Sequence, residues 1–413
     1  MPIYLSIILL VVVLDFVWTQ YLAYRNRKRM SPDIPPLLEG IYDKDEYARQ
    51  QAYQKINSRF GLYTSLFSFI VMLLVLSLGI FGWLDGLLRQ FINNEVLLTL
   101  AFFGIVYIVN DIITLPFSYY ATFVIEERFG FNKSTKAVFW FDQLKGLLLT
   151  TILGGIILAL LVWFYETLGT YAWLYAWGAV TVFSLFMTLF YSNIIVPLFN
   201  KQTPLEDGEL RGAIEAFSRE AGFSIKNIYV MDASKRSSKA NAYFTGFGAK
   251  KRIVLFDTLI NDLSTSEIVA VLAHEIGHYK KRHTLQGMFI SIFYTGIILF
   301  LLSWFLDNEA IAVALGGKEA SFHLGLIAFS VLFTPVSMII GLFSSMHSRK
   351  NEYQADAYAA GFGLADSLIS GLKKLSVKSL SNLNPDPLYV SFYYSHPTLL
   401  QRMGALMEID NKK

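Results

Sequence analysis

His274-Glu275-Ile276-Gly277-His278 places two histidines four residues apart, with a glutamate between them. On an α-helix, residues i and i+4 project from one face, so both imidazoles can bind a single zinc ion while the glutamate activates water beside them. Two ordinary surface histidines on a helix are the alternative interpretation. Chance placement gives this pattern in roughly 3 of every 1000 chains of this composition, which disfavours that alternative. The stretch therefore predicts a metal-binding helix.

The residues before the motif predict where this helix begins. Ser264 and Glu267 have the spacing of a capping box, in which each side chain bonds the backbone N–H of the other residue. Apolar residues follow at helical spacing, namely Ile268, Val271, Leu272, Ala273 and Ile276. The motif is therefore expected on a helix with one apolar face.

The composition excludes a soluble enzyme of this length. Hydrophobic residues make up 54% of the 413 residues, aromatic residues 15% and charged residues only 16%. A helix needs about 20 apolar residues to cross a hydrocarbon layer about 30 Å thick. Runs of that kind predict seven membrane spans, at residues 3–24, 62–83, 96–117, 146–163, 171–198, 288–306 and 324–343. We therefore expect an α-helical multi-pass membrane protein.

Basic residues are unevenly distributed between the predicted loops. The segment after the first span is rich in Lys and Arg, whereas the loop after the second span has only Arg89. Because basic loops tend to stay in the cytoplasm, seven spans place the amino terminus outside and the zinc motif in the cytoplasm. The catalytic site is expected to face the cytoplasm, in either a bacterial inner membrane or the endoplasmic reticulum.

The chain has no cysteine and a net charge of +3. Without cysteine there is no disulfide, no thiolate catalysis and no cysteine-ligated zinc, so any metal must be held by His and carboxylate. No basic stripe is interleaved with aromatic residues, which argues against a nucleic-acid partner. The expected partners are instead the lipid bilayer and a peptide, and the sequence predicts no oligomeric state.

Two segments outside the spans have ordinary globular composition and together predict a small α+β catalytic domain of the zincin type. The expected organisation is membrane helices one to five with cytoplasmic loops at 1–199, a catalytic segment with the zinc motif at 200–286, membrane helices six and seven at 287–345, and a carboxyl-terminal catalytic segment at 346–413.

Short elements are expected within the first catalytic segment. Residues 204–221 predict an amphipathic helix that Gly222 stops, and residues 227–231 and 252–256 predict strands. Between the strands, Asn241-Ala242-Tyr243 opens a β-favouring stretch that ends at Gly246. This stretch predicts an edge strand able to pair with an extended peptide substrate, and an ordinary hairpin strand explains it equally well.

A catalytic zinc needs three protein ligands and an open position, so a further His, Asp or Glu must come from elsewhere in the chain. Glu352 is the best candidate, followed by Asp356 and His396. Glu352 and Asp356 fall four residues apart in a helical stretch and share one face. Asp356 is then placed to hydrogen-bond a ligand imidazole. A solvated charged helix is the alternative interpretation of this stretch.

The other histidines fit a ligand set less well. His283 lies five residues beyond His278 and is expected to point off the ligand face, and His323 is expected on the far side of the membrane. His347 is at most a supporting residue near the metal.

His396 and Arg402 follow in the carboxyl-terminal segment. A cationic or hydrogen-bonding group near zinc can stabilise the oxyanion of peptide hydrolysis, and Arg402 can alternatively anchor Asp356 or the substrate. On the residues alone, helix capping or a surface position is the simpler explanation of both.

Two rival classes share some of these features. An intramembrane protease with an Asp ligand in a Leu-Asp-Gly triplet fits Leu84-Asp85-Gly86, but that triplet precedes the histidines and lies on the predicted outer side. A transporter fits seven spans with intramembrane Asp15 and Asp111, but the expected inverted repeat is missing.

Taken together, the motifs resemble one family along nearly the whole chain, the type I CAAX prenyl endopeptidases, which are integral membrane zinc metalloproteases of the gluzincin group. The resemblance lies in the seven spans and in motifs that follow in the family's order: residues 197–201, residues 234–238, Asn241-Ala242-Tyr243, residues 251–258, the zinc motif, Glu352 with Asp356, and His396-Pro397 with Arg402.

The resemblance implies one zinc ion per chain, held by His274, His278 and Glu352, with Glu275 as general base and then proton donor. It also implies that Asn241, His396 and Arg402 act near the substrate. The implied substrate is a peptide or protein carboxyl terminus, cleaved near a prenylated cysteine in members that act on CAAX proteins. A broader membrane-protein quality-control protease without prenyl specificity is the alternative function.

Overall fold

The structure is a computed structural model that describes residues 3–223, 227–245, 252–306 and 308–411. Gly246, Lys251 and Lys413 of the predicted segments lie outside the described residues. The helices are α1 (Ile3–Lys28), α2 (Lys44–Ser77), α3 (Ile80–Leu88), α4 (Glu95–Tyr120), α5 (Lys136–Leu149), α6 (Gly155–Thr167), α7 (Ala172–Phe190), α8 (Glu209–Glu220), α9 (Asp257–Asp262), α10 (Thr265–Lys280), α11 (His283–Leu306), α12 (Glu309–Ala314), α13 (Phe322–Leu332), α14 (Thr334–Gly361), α15 (Ala365–Lys378), α16 (Pro387–Tyr393) and α17 (Leu399–Asp410). The strands are β1 (Gln202–Pro204), β2 (Ile228–Met231), β3 (Ala242–Thr245) and β4 (Arg252–Phe256).

Long apolar helices dominate the described chain. Six are long and apolar enough to cross a membrane, namely Ile3–Lys28, Lys44–Ser77, Glu95–Glu126, Lys136–Thr167, Gly169–Leu198 and His283–Leu306. A seventh span is formed if the bent pair α13 and α14 is counted as one. Their outward faces leave large side chains such as Leu14, Phe289 and Trp304 more than half exposed. Apolar surface on that scale is stable in lipid rather than in water.

Two predicted spans are broken rather than straight. The seventh, predicted at 324–343, is divided between α13 and α14, which meet at an angle of 55°. Pro335 lies in the first turn of α14, where its missing N–H cannot continue the hydrogen bonding of α13. The second, predicted at 62–83, ends at Ser77, and Gly79 with a φ of 63° starts the separate helix α3. Hydropathy alone predicted both spans as single helices because it does not register a change of direction.

The strands form a small sheet in the order β1-β2-β4-β3. β2 and β4 are parallel, while β1 and β3 pair antiparallel to their neighbours. β3 is therefore an edge strand within the described sheet, and its antiparallel pairing with β4, the next strand in the chain, fits both interpretations of this stretch. The predicted helix at 204–221 begins later, at Glu209, because Pro204 and the residues before it form β1.

Helix α10, which carries the zinc motif, is the most buried helix of the catalytic region. Its side chains Ile268, Ala270, Leu272, Ala273 and Ile276 are buried and join a core that also takes in β4, α8, α15 and α17. The apolar face predicted from the sequence is this buried face. It fixes α10 rotationally, so that His274 and His278 are presented towards α14 on the other side.

Candidate metal centre

The start of α10 is held by a capping box, as the sequence predicted. Ser264 Oγ accepts a hydrogen bond from the Glu267 N–H at 3.4 Å, and Glu267 Oε2 accepts one from the Ser264 N–H at 2.8 Å. Lys374 and Ser370 of α15 also donate to the buried Glu267 carboxylate. Burial by itself raises the pKa of Glu267, but these donors outweigh it and lower that pKa to about 2. The helix that carries the motif is therefore anchored to α15 through a charged group.

Candidate ligand atoms of three residues converge beside α10. His274 Nε2 lies 3.1 Å from His278 Nε2, and Glu352 of α14 brings its carboxylate oxygens to 3.4 Å and 3.2 Å from these nitrogens. Tetrahedral zinc with ligands about 2.0–2.2 Å away separates those ligands by about 3.3 Å. Glu352 Oε2 is buried and has no hydrogen-bond partner among the described residues. The donor set therefore fits a zinc ion, and Glu352 stands where the sequence placed the third ligand.

Gly277 allows the two ligand helices to approach closely. A Cβ atom at this position would lie 3.0 Å from Tyr358 Cβ and 3.1 Å from Ala355 Cα, both on α14. Contacts that short are tighter than ordinary packing, so a side chain here would require α14 to give by a few tenths of an ångström. The glycine inside the motif thus has a packing role, since it brings His274 and His278 within reach of Glu352.

Asp356 supports the centre one helical turn beyond Glu352. Its Oδ1 accepts a hydrogen bond from His274 Nδ1 at 2.8 Å, which leaves His274 Nε2 for the metal. Arg402 of α17 donates to both oxygens of Asp356, at 2.9 Å and 2.6 Å. Arg402 therefore anchors Asp356, which is one of the roles considered for it on the sequence.

The charges around His274 favour a cation there. Burial lowers the pKa of His274, but the hydrogen bonds to Asp356 and Glu352 raise it to about 9. The neighbouring carboxylates thus favour positive charge at this point, and a bound divalent cation would supply that charge. Burial likewise lowers the pKa of Arg402, and Asp356 more than reverses that effect.

The ligands open onto a cavity of 1230 Å³. Glu275, Asn241, Ala242 and His396 all line it. Tyr243, the third residue of the predicted substrate-binding stretch, has other contacts: its hydroxyl hydrogen-bonds Ser192 Oγ and Gln202 Nε2. The structure thus brings Asn241 and Ala242, but not the Tyr243 hydroxyl, to the cavity that contains the ligands.

His396 lies at the rim of the centre. Its side chain is 62% exposed, and its Nε2 lies 3.3 Å from Glu352 Oε1. Ser395 Oγ lies 2.8 Å from the other ring nitrogen, Nδ1. An exposed imidazole held beside a ligand carboxylate can reach both the metal position and a bound substrate.

His283 is a neighbour of the centre that sequence reasoning missed. It was expected to point off the ligand face, yet its Nδ1 lies 3.0 Å from Nδ1 of His278. The reason is a break in the helix after α10, where Arg282 has a φ of 60° and the chain turns before α11 begins at His283. The spacing rule assumed an unbroken helix. A non-glycine residue gives no sequence signal for such a turn.

Asp85 of the Leu-Asp-Gly triplet lies in a separate cluster. Its Oδ1 is 2.8 Å from His323 Nε2 and 2.9 Å from Arg89 Nε. His323 is fully buried there, and its Nδ1 lies 3.2 Å from Thr99 Oγ1. Asp85 therefore pairs with residues other than the zinc histidines, as the argument against the intramembrane-protease rival required.

A His-Glu-x-x-His helix completed by a glutamate from a second helix, in a chain with six or seven apolar spans, defines a membrane-embedded zinc metallopeptidase. Family comparison identifies which one. Residues 204–410 match the model of peptidase family M48, residues 23–201 match the CAAX prenyl protease N-terminal model of five membrane helices, and the chain belongs to this family.

Full-length relatives agree with this assignment. The chain is 36% identical to CAAX prenyl protease 1 of Saccharomyces cerevisiae, over 97% of this chain and 94% of that one. It is 32% identical to the CAAX prenyl protease 1 homolog of Homo sapiens, over 95% and 92% of the two chains. The crystal structure of S. mikatae Ste24p superposes with a TM-score of 0.93 at 36% identity, covering 98% of this chain and 99% of that chain. The resemblance, the zinc cofactor and the peptidase class expected from the sequence are confirmed, and the transporter interpretation is set aside.

Proposed function

We propose that this zinc metallopeptidase cleaves CAAX-type prenylated substrates, with His274, His278 and Glu352 as the metal ligands and Glu275 as the general base. The observation that carries the proposal is the cluster of two imidazole nitrogens, 3.1 Å apart, and the Glu352 carboxylate, whose two oxygens lie 3.4 Å and 3.2 Å from them, beside a large cavity. The names of the relatives supply the substrate class, since those proteins are CAAX prenyl proteases.

Zinc held by these residues would polarise the scissile carbonyl and lower the pKa of water. Glu275 follows His274 directly in the chain and lines the cavity, so its carboxylate can take the proton of the attacking water. Water adds to the carbonyl carbon, the C–N bond breaks, and Glu275 passes the proton to the leaving amine. His396, which lies beside Glu352, can donate a hydrogen bond to the oxyanion.

The edge strand β3 offers a way to hold the substrate. Its residue Ala242 and the preceding Asn241 line the cavity, and its other edge is paired with β4. An extended peptide that adds to a sheet edge gains backbone hydrogen bonds in a fixed register. We assign Asn241 and Ala242 to peptide binding, while Tyr243 supports the strand through its hydroxyl contacts.

One part of the cavity wall suits an apolar group. It is formed by side chains of α11 and α14, namely Ile290, Phe293, Tyr294, Ile297, Ile340 and Phe343. Placing an isoprenoid chain against such a wall removes it from water, while the peptide part of the substrate stays at the polar ligands. The combination favours a lipidated peptide over an ordinary soluble peptide.

We also propose that the catalytic side faces the cytoplasm. The basic segment that begins in the last turn of α1 and runs into α2 packs against the catalytic region, with Arg25 Nη2 3.1 Å from Asp386 and Gln54 Nε2 2.8 Å from the Leu380 carbonyl oxygen. The catalytic side is therefore the side rich in Lys and Arg, which the positive-inside rule assigns to the cytoplasm. Labelling of single cysteines in sealed vesicles, introduced near Arg27 and near Gln90, would test this orientation, because only one should react from each side.

The decisive experiment compares the purified chain with Glu275→Gln. We expect both proteins to hold one zinc ion, and we expect Glu275→Gln to lose cleavage of a prenylated CAAX peptide by at least about 100-fold, since proton transfer contributes that much. The same peptide without the prenyl group is the control for the substrate class. Equal cleavage of both peptides would contradict the prenyl proposal, and cleavage that is indifferent to Glu275 would contradict the mechanism.

A further inference from the structure

His283 is a buried histidine outside the ligand set, and it contacts His278 at the ring nitrogen that faces away from the metal position. Its Nδ1 lies 3.0 Å from His278 Nδ1, and its Nε2 lies 2.9 Å from Gln354 Oε1. The His283 side chain is only 7% exposed. Gln354 belongs to α14, two residues beyond Glu352, so these contacts join His278 to the helix that carries Glu352.

The amide oxygen of Gln354 fixes the direction of every proton in this chain. An amide oxygen only accepts, so His283 must carry its proton on Nε2 and donate it to Gln354. Nδ1 of a neutral His283 is then an acceptor, and His278 must donate to it from its own Nδ1. A neutral His278 protonated on Nδ1 has its lone pair on Nε2, the atom that lies 3.1 Å from His274 Nε2.

The opposite direction would remove the ligand. If Gln354 presented its NH₂ group, His283 would be protonated on Nδ1 and would donate to His278. A neutral His278 would then carry its proton on Nε2, where the metal must bind. The direction of this relay therefore decides whether His278 can ligate zinc.

The backbone holds His283 in a conformation that a simple helix would not give. Arg282, the residue before it, is in the left-handed region with a φ of 60°. A non-glycine residue is strained in that region, so the surrounding packing must maintain it. The turn lets the first residue of α11 reach back to His278 on α10.

We propose that His283, oriented by Gln354, is a positioning residue that keeps His278 protonated on Nδ1 and so presents Nε2 to zinc. The proposal rests on the ligand set assigned above. The two zinc histidines are thus oriented by different chemistry, because His274 donates to the charged Asp356–Arg402 pair while His278 donates to the neutral His283–Gln354 pair.

The test is the zinc affinity of the full chain in detergent, measured by competition with a chelator. We expect His283→Ala to weaken zinc binding by about 10- to 100-fold, as removal of a ligand's hydrogen-bond partner does. Gln354→Leu is expected to weaken it less. Gln354→Glu is expected to retain it, because a carboxylate also accepts from His283. His323→Gln, at a histidine in the separate cluster with Asp85, is the matched control, and each folded molecule should bind zinc as tightly as the parent chain.

A spectroscopic measurement separates positioning from folding. In zinc-free protein labelled with ¹⁵N-histidine, we expect His278 to be protonated on Nδ1 and to become a mixture of tautomers in His283→Ala. Thermal melting of the same zinc-free samples shows whether the variants are folded.

Each outcome has a distinct meaning. Undiminished zinc affinity in a folded His283→Ala would overturn the relay while leaving the ligand set intact. Tighter zinc binding in Gln354→Glu and Gln354→Leu than in the parent chain would show that Gln354 donates and that the relay runs in the opposite direction. Zinc binding that survives in both His274→Ala and His278→Ala would instead refute the ligand set itself.

Discussion

Two ends of this molecule carry nearly the same arrangement of side chains. In each, a buried histidine donates to an aspartate oxygen 2.8 Å away, and an arginine completes the group. The two groups are His274–Asp356–Arg402 in the catalytic region and His323–Asp85–Arg89 near α3. By residue type and pair geometry alone, they would be equally good candidates for a functional site.

The second ring nitrogen of each histidine distinguishes the two groups. His323 Nδ1 lies 3.2 Å from Thr99 Oγ1, so both of its nitrogens have partners in a closed, fully buried cluster. His274 Nε2 instead faces His278 and Glu352, next to a cavity. A histidine–aspartate pair is therefore structural when the remaining nitrogen is satisfied by protein, and it supports a metal when that nitrogen meets other ligands.

The charges beyond each pair also differ. Arg89 contacts Glu95 at 2.6 Å and Glu319 at 3.0 Å in addition to Asp85, so it ties α3 to α4 and to the loop before α13. Arg402 turns inward, and its Nη1 lies 3.7 Å from Glu352. The group with Arg89 joins elements at one end of the spans, while the group with Arg402 adjusts a metal centre.

The same substitution in the two histidines should reveal the largest difference between the two groups. We expect His274→Gln to lose stoichiometric zinc and to reduce peptide cleavage to background, because a ligand is removed. We expect His323→Gln to keep one zinc ion and cleavage within about 2-fold, with a lower melting temperature from the perturbed buried pair with Asp85. Metal analysis, a peptide assay and thermal melting on the two variants measure this. Zinc loss from a folded His323→Gln would mean that the two ends are coupled.

A pair of glycine variants should give the next largest effect. Gly277→Ala places a Cβ 3.1 Å from Ala355 Cα, so α10 must move away from Glu352, and we expect at least about a 10-fold loss of activity from the displaced ligands. At the other end, a Cβ on Gly82 would lie 1.9 Å from the backbone of Gly316. Gly82→Ala is expected to lower stability while zinc affinity per folded molecule stays unchanged. Equal effects of both variants on zinc affinity would contradict this separation.

The smallest effect concerns acid stability. The pKa of Glu267 is lowered from 4.5 to about 2 in the folded chain. Its ion pair therefore stabilises the folded state fully at a pH above the pKa of 4.5 in the unfolded chain, and this stabilisation is lost as the pH falls towards 2. Replacing it by Gln should cost about 2 kcal/mol near neutral pH and remove that part of the acid sensitivity. Melting curves of the zinc-free parent and Glu267→Gln between about pH 5 and about pH 2 should converge. Parallel curves would show that this carboxylate does not titrate as stated.

Much of the metal centre followed from local sequence rules. The capping box at Ser264, the helix through the zinc motif and the shared face of Glu352 and Asp356 all depend on helical spacing over a few residues. That Asp356 would support a ligand histidine was also expected. These predictions held because residues three or four apart on an unbroken helix have a fixed geometry.

Predictions failed where the chain changes direction. His283 lies outside the candidate ligand group, as expected, but its contact with His278 was not expected because the turn at Arg282 interrupts the helix. The seventh span was drawn straight through the bend between α13 and α14. The start of α8 was placed too early because pairing of β1 with β2, a contact between distant residues, overrides the helical pattern near Pro204.

The sequence by itself determined the membrane character and the zinc motif, and it offered Glu352 as the candidate third ligand, because hydropathy and helical periodicity are properties of neighbouring residues. Only the tertiary structure decided that Arg402 anchors Asp356, that His283 reaches His278, and that the pair of Asp85 and His323 is closed. Those contacts join residues far apart in the chain or across a helix break. Their geometry is set by the packing of whole helices, in which one glycine at position 277 brings α10 and α14 close enough to hold a metal.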